Sequence, residues 1–102
     1  MIRKGVVSVN KERVRLAILK ELDNGNNAFK HVDLGIEPNA LNDAVEFLQD
    51  EGYIDGAEVY VTGNYDISNA MIIEKGEDYL EDNSLLMKAY KGLKGARDWI
   101  KI

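Results

Sequence analysis

Across residues 38–73 the spacing of apolar side chains changes from helical to alternating, and this change of period constrains the fold more than any other feature of the chain. Pro38 suits the first position of a helix, and Glu37 before it is a weak cap whose charge still favours a helix N-terminus. Leu41, Ala44, Val45 and Leu48 then share one face, with Phe47 on its flank. Gly52 fits the left-handed position just past the helix, which lets Tyr53 fold back on Leu48. Beyond it Val59 and Val61 alternate with Tyr60 and Thr62. Gly63-Asn64 is a two-residue hairpin signal, and Tyr65, Ile67, Ser68 and Met71-Ile72-Ile73 make the return strand. A helix running straight into a hairpin predicts an α+β fold.

The flanking segments add helices. Asn10 is a good N-cap, Val9 can staple onto Val14, and Val14, Ala17, Ile18 and Leu22 form a buried stripe that the Asn24-Gly25 turn ends. Residues 5–9 read as a short strand or an ordered arm, and residues 28–35 as a single turn or short helix. A helix from Glu74 to Asp82 follows the hairpin. Asn83-Ser84 then caps a last helix running to the C-terminus, with Leu86, Ala89, Tyr90, Leu93, Ala96 and Ile100 on one face and Lys88, Lys91, Lys94 and Lys101 on the opposite arc. The order helix, short helix, helix, hairpin, helix predicts a winged helix-turn-helix with a two-stranded wing and an additional C-terminal helix. A generic α+β domain with a two-stranded sheet predicts the same string. With 102 residues, no repeat and no linker, the expectation is one domain over residues 1–102, a core over 10–83 and a packed final helix over 84–102.

Several stretches carry a resemblance. AILKEL (17–22), EGYI (51–54), IEKGEDYLEDN (73–83), and KAYK with DWIK (88–91 and 98–101) resemble the YjcQ-like family, small winged-helix proteins of Gram-positive bacteria and their prophages. The KAYK and DWIK tail is the more specific part, since many winged helices share the EKG-x-x-YL stretch. The resemblance implies the fold and a phage-related context and brings no catalytic residues. One departure stands out, because winged helices commonly place Thr or Ser where this chain has Ile73. Ile cannot accept the free amide protons of a helix start, so a cap worth about 0.5–2 kcal/mol is missing unless Glu74 substitutes.

Charge is partitioned along the chain. Residues 31–74 hold ten carboxylates and no Lys or Arg, while residues 1–30 carry seven basic and three acidic groups and residues 75–102 six and five. Such asymmetry bears on partners rather than on fold. Catalytic equipment is sparse. Cysteine is absent, which removes thiolate nucleophiles and Cys-based zinc sites, and His31 is the single histidine. Asp50-Glu51 and Glu81-Asp82 are adjacent and do not share a helix face, and the glycines match no phosphate-cradling loop. A calcium loop over residues 50–61 fails because Asp55 and Val61 stand where Gly and Glu are needed. The expectation is a non-enzymatic protein without cofactor or metal. No apolar run suits a bilayer and no signal-peptide core follows Arg3 and Lys4, so the expected location is cytoplasmic.

What remains is binding. The exposed face of the 38–50 helix is Asn39, Asn42, Asp43, Glu46 and Asp50, and the hairpin turn has no basic residue. Two asparagines could read adenine, but three carboxylates would approach a polyanion. The expected partner is therefore a protein docking on this acidic face, with Trp99, beside Gly92 and Gly95, either an anchor for that partner or a homodimer mate, or a cover for the domain's own hairpin. The alternative is a DNA-binding regulator using Arg3, Lys4, Lys11, Arg13 and Arg15 together with Lys88, Lys91 and Lys94, lysines that otherwise read as a solvated face.

Overall fold

The computed structural model describes residues 10–101 and is α+β: helices around two short antiparallel strand pairs. Helix α1 (Lys11–Asp23) starts where Asn10 accepts a hydrogen bond from the Arg13 amide at 3.2 Å. Val14, Ala17, Ile18 and Leu22 are buried as their spacing requires, and so are Leu16, Leu19 and Glu21. A helix buried on most sides is the centre of its domain, and α1 packs against α3, α4, β4 and α6. The suggested Val9 staple and the strand or arm at 5–9 lie outside the described residues.

Helix α2 (His31–Leu34) is a single turn, and α3 (Pro38–Asp50) follows after Gly35-Ile36-Glu37. Glu37 makes no side-chain cap bond, in keeping with a weak cap. At the other end the Tyr53 amide donates to Leu48 O (2.8 Å) and the Gly52 amide to Gln49 O (3.1 Å), the paired bonds of a Schellman ending. The Tyr53 ring lies 6.2 Å from Phe47, which makes the accompanying apolar contact.

Four two-residue strands build the hairpin. β1 (Ile54–Asp55) pairs with β4 (Met71–Ile72), Ile54 opposite Ile72, and β2 (Glu58–Val59) pairs with β3 (Tyr65–Asp66), Val59 opposite Tyr65. The turn is longer than the two residues Gly63-Asn64. Tyr60 N donates to Asn64 O and Gly63 N to Tyr60 O, both at 2.8 Å, so the loop is Val61-Thr62-Gly63 with Gly63 at φ 90°. A three-residue loop closed by a left-handed glycine keeps the natural twist of the strands.

Helix α4 (Glu74–Asp82) has the expected bounds, and Ile73 stands at its N-cap without a side-chain bond. The last helix does not. It divides into α5 (Ser84–Met87) and α6 (Leu93–Ile100), and Gly92, at φ 87°, turns the chain between them. That conformation is cheap only for glycine. The predicted stripe survives the break except at Ala89, which is exposed: Leu86, Tyr90 and Leu93 pack half-buried against the core, and Ala96 and Ile100 enter it together with Trp99, while Leu85, off that stripe, is 80% exposed. The Arg97 guanidinium fastens α6 to α2, Nη2 donating to Val32 O at 2.7 Å. No helix among the described residues is long and apolar enough to cross a membrane.

Candidate interaction surface

Helix α3 turns Ala44, Val45 and Leu48 inward, and its 3.6-residue period leaves the other face to solvent. Asn39, Asp43, Glu46 and Asp50 are exposed there. Asn42 is half-buried and less free than its spacing implies, because its Nδ2 donates to Asn64 Oδ1 at 2.9 Å and ties the helix to the hairpin loop. The ion pair among the described residues is Lys20–Asp23, at 3.9 Å, so none of the α3 carboxylates is neutralised by a neighbouring cation there.

The hairpin continues this surface. Tyr65 lies close enough to α3 that burial first, and then the Glu46 and Asp50 carboxylates, raise its hydroxyl above the ordinary tyrosine range. On the other side of the same strand pair the Tyr60 hydroxyl donates to Asp66 Oδ2 at 2.7 Å. The Ser68 amide, and then that hydroxyl, hold the Asp66 carboxyl below its usual range. Val59 is 61% exposed and Val61 fully so, which places apolar side chains at the edge of an acidic face. Sequence reasoning puts these valines on a strand without marking them as surface, although a turn flanked by β-branched residues and no Lys or Pro is a readable sign of an open edge. A cleft of about 530 Å³ separates the start of α3 from β3, with His31, Lys30, Asn42 and Tyr65 on its walls. No group of three or more His, Cys, Asp or Glu suited to a metal occurs among the described residues.

The other candidates disperse. Trp99 is 4% exposed: its ring meets Tyr90 edge-on at 5.0 Å, its indole N–H donates to Leu86 O at 3.3 Å, and Arg13 lies over it at 4.9 Å. A side chain so enclosed is a core residue, and it cannot anchor a partner or a dimer mate as it stands; the turn at Gly92 is what directs it inward. Arg13 is further engaged through Nη1 to Trp99 O (2.9 Å), and Arg15 stacks 3.6 Å above the Phe47 ring. Lys11, Lys88, Lys91 and Lys94 are exposed, but the three C-terminal lysines belong to the end of α5, the connecting loop and α6 rather than to one helical arc. Arg3 and Lys4 lie outside the described residues.

The stretches that carry the family resemblance meet in the fold. The Tyr53 carbonyl of EGYI accepts from the Ile73 amide at 3.1 Å, Lys75 Nζ donates to Glu51 O at 2.8 Å, and the Tyr53 and Tyr79 rings lie 5.0 Å apart. Tyr90 and Trp99 join KAYK to DWIK in the same way. These motifs therefore describe joints of the architecture, and the exposed α3 face stands apart from them. A family model described as YjcQ protein matches residues 13–99. The "Uncharacterized protein YjcQ" of Bacillus subtilis (strain 168) is 40% identical over 100 residues, covering 91% of this chain and 100% of that protein. No solved structure matches the chain.

Proposed function

The chain belongs to the YjcQ family, and we propose that it is a non-enzymatic winged-helix binding module, regulatory and of the phage or prophage type the resemblance implies, that engages a protein partner through the acidic face of α3. In this reading α2 and α3 are the helix-turn-helix pair and the β2–β3 hairpin is the wing. The observation that carries it is the exposure of Asp43, Glu46 and Asp50 on one helix face, with no Lys or Arg anywhere in residues 31–74 to offset them. A winged helix that reads DNA presents cations there, since phosphate contacts supply most of the affinity. Here each approach of a phosphate would meet like charge.

Titration of labelled duplex DNA, read by fluorescence anisotropy at about 50 mM and about 200 mM salt, tests the reading. The wild-type protein is expected to leave the duplex free at both. The variant Asp43→Lys, Glu46→Lys, Asp50→Lys is expected to gain weak binding that vanishes at the higher salt, with its melt nearly unchanged because the three positions face away from Val45 and Leu48. Sequence-specific binding by the wild type at the higher salt, lost on changing Asn39 or weakened on neutralising Lys88, Lys91 and Lys94, would establish the DNA-binding alternative instead.

A further inference from the structure

We propose that the outer edge of β2 at Val59 accepts an extended segment of a basic protein partner, which joins the hairpin as an added strand. The proposal rests on the reading of the acidic α3 face as a protein-docking surface and names the form in which the partner arrives.

The edge begins under cover. Gln49, near the end of α3, caps both backbone groups of Ala57: the Ala57 amide donates to Gln49 Oε1 at 2.8 Å, and Gln49 Nε2 donates to Ala57 O at 2.7 Å. A carboxamide placed this way supplies the same donor and acceptor as the backbone of a neighbouring strand. Antiparallel pairing then alternates. Tyr60 bonds across the hairpin to Asn64, and Val59 opposite Tyr65 is the non-bonded pair between Tyr60–Asn64 and Glu58–Asp66. The Val59 amide and carbonyl therefore point to the same outer edge as those of Ala57, two residues farther along. Among the described residues no hydrogen bond takes them up.

Among the described residues this edge is blunted only by its short length and, at Ala57, by Gln49. Sheet edges are ordinarily protected by lysine, proline, a covering element or an inward-pointing charge, yet residues 54–73 contain no Lys, Arg or Pro. Val59 and Val61 stand exposed beside it. Charge selects the occupant. Glu58 lies on the arm itself, Asp66 is opposite it, and Glu46 and Asp50 act on Tyr65, the residue paired with Val59. A second copy of this chain would bring one acidic arm against another, whereas a segment alternating lysine or arginine with apolar residues matches both the carboxylates and the valines.

The probe is a labelled peptide of alternating lysine and valine, about seven residues long, titrated against the whole chain. Binding is expected, and it should weaken at least about tenfold, the equivalent of two lost backbone hydrogen bonds, when every peptide nitrogen is methylated. Val59→Pro should weaken it to a similar extent, because proline removes an amide that faces away from β3 and is tolerated at such edge positions. The double variant Glu46→Lys, Asp50→Lys should weaken it as well. Equal binding of the methylated peptide overturns strand addition; if the charge-reversed variant still loses that binding, docking on the acidic face survives by itself. Indifference to charge reversal, with the methylated peptide excluded, overturns the acidic-face reading instead. Equal affinity for a serine–valine peptide, failure of the parent peptide to bind, or dimerisation of the protein that Val59→Pro abolishes would each overturn the proposed basic partner.

Discussion

The Tyr90 hydroxyl donates to Glu21 Oε2 at 2.6 Å, joining the last turn of α1 to the loop between α5 and α6. Asn26 Nδ2 donates to the other carboxylate oxygen at 2.8 Å, so a side chain only 5% exposed has both oxygens satisfied. Burial, and then the bond to Glu21, push the Tyr90 hydroxyl far above the ordinary tyrosine range. Tyr90→Phe leaves one buried carboxylate oxygen without its donor and is expected to cost about 1–3 kcal/mol in a urea melt. A loss below about 0.5 kcal/mol would mean that the carboxylate finds another donor at no cost.

Tyr79 makes stability depend on alkaline pH. Burial, followed by its hydrogen bond to Glu12 at 2.8 Å, raises its hydroxyl from 10.0 to about 12. The fold prefers the protonated phenol, so the contribution is fully present below the unfolded value of 10.0 and is lost as pH climbs towards about 12. Urea midpoints of wild type and Tyr79→Phe, compared across that window, are expected to converge as pH rises. A gap between them that stays constant would remove Tyr79 from the account.

Gly76 is buried in α4 where a β-carbon would run into the Tyr53 carbonyl oxygen and sit 2.7 Å from Ile72 Cγ1. Alanine is the better helix former by about 1 kcal/mol, but overpacking against backbone typically costs about 1–3 kcal/mol. Gly76→Ala is therefore expected to destabilise, as read by a thermal melt. A more stable variant would show that the Tyr53–Gly76 joint can open without cost.

Ile73 offers the opposite case. It is half-buried at the N-cap of α4 and supplies no cap bond, while its amide is held by Tyr53 O. Ile73→Thr keeps the β-branch and adds an acceptor for the first turn, so it is expected to be neutral or to stabilise by up to about 1 kcal/mol. A urea-melt loss above about 2 kcal/mol would mean that the lost methyl group's packing outweighs the cap.

Much of the fold was legible because it depends on neighbours in sequence. The Asn10 cap, the Gly52 ending of α3, the α4 bounds and the inward face of Ala44, Val45 and Leu48 all follow from contacts within a turn or from the 3.6-residue period. The acidic face of α3 follows by the same rule, since residues off the buried stripe of an amphipathic helix stay in water. The hairpin was legible in place but not in detail: alternation marked the return arm and Val59, but Val61 and Thr62, read as strand, fall in the loop, and the pairing of Ile54 with Ile72 needed the end of one helix and the start of another to meet.

The sequence by itself determined where the first four helices and the hairpin lie, which face of α3 is wet, and that the middle of the chain carries one sign of charge. Tertiary structure alone decided the remainder. Leu16, Leu19 and Glu21 are buried because α1 is enclosed by several elements at once, which no single helical stripe encodes. Trp99 is core because Gly92 turns α6 back towards α1, Tyr90 and Arg13. Gln49 covers Ala57 and leaves Val59 open because the reach of one side chain ends there. Each of these outcomes depends on groups brought together only after the elements pack, and such contacts leave no periodic or local trace for the sequence to display.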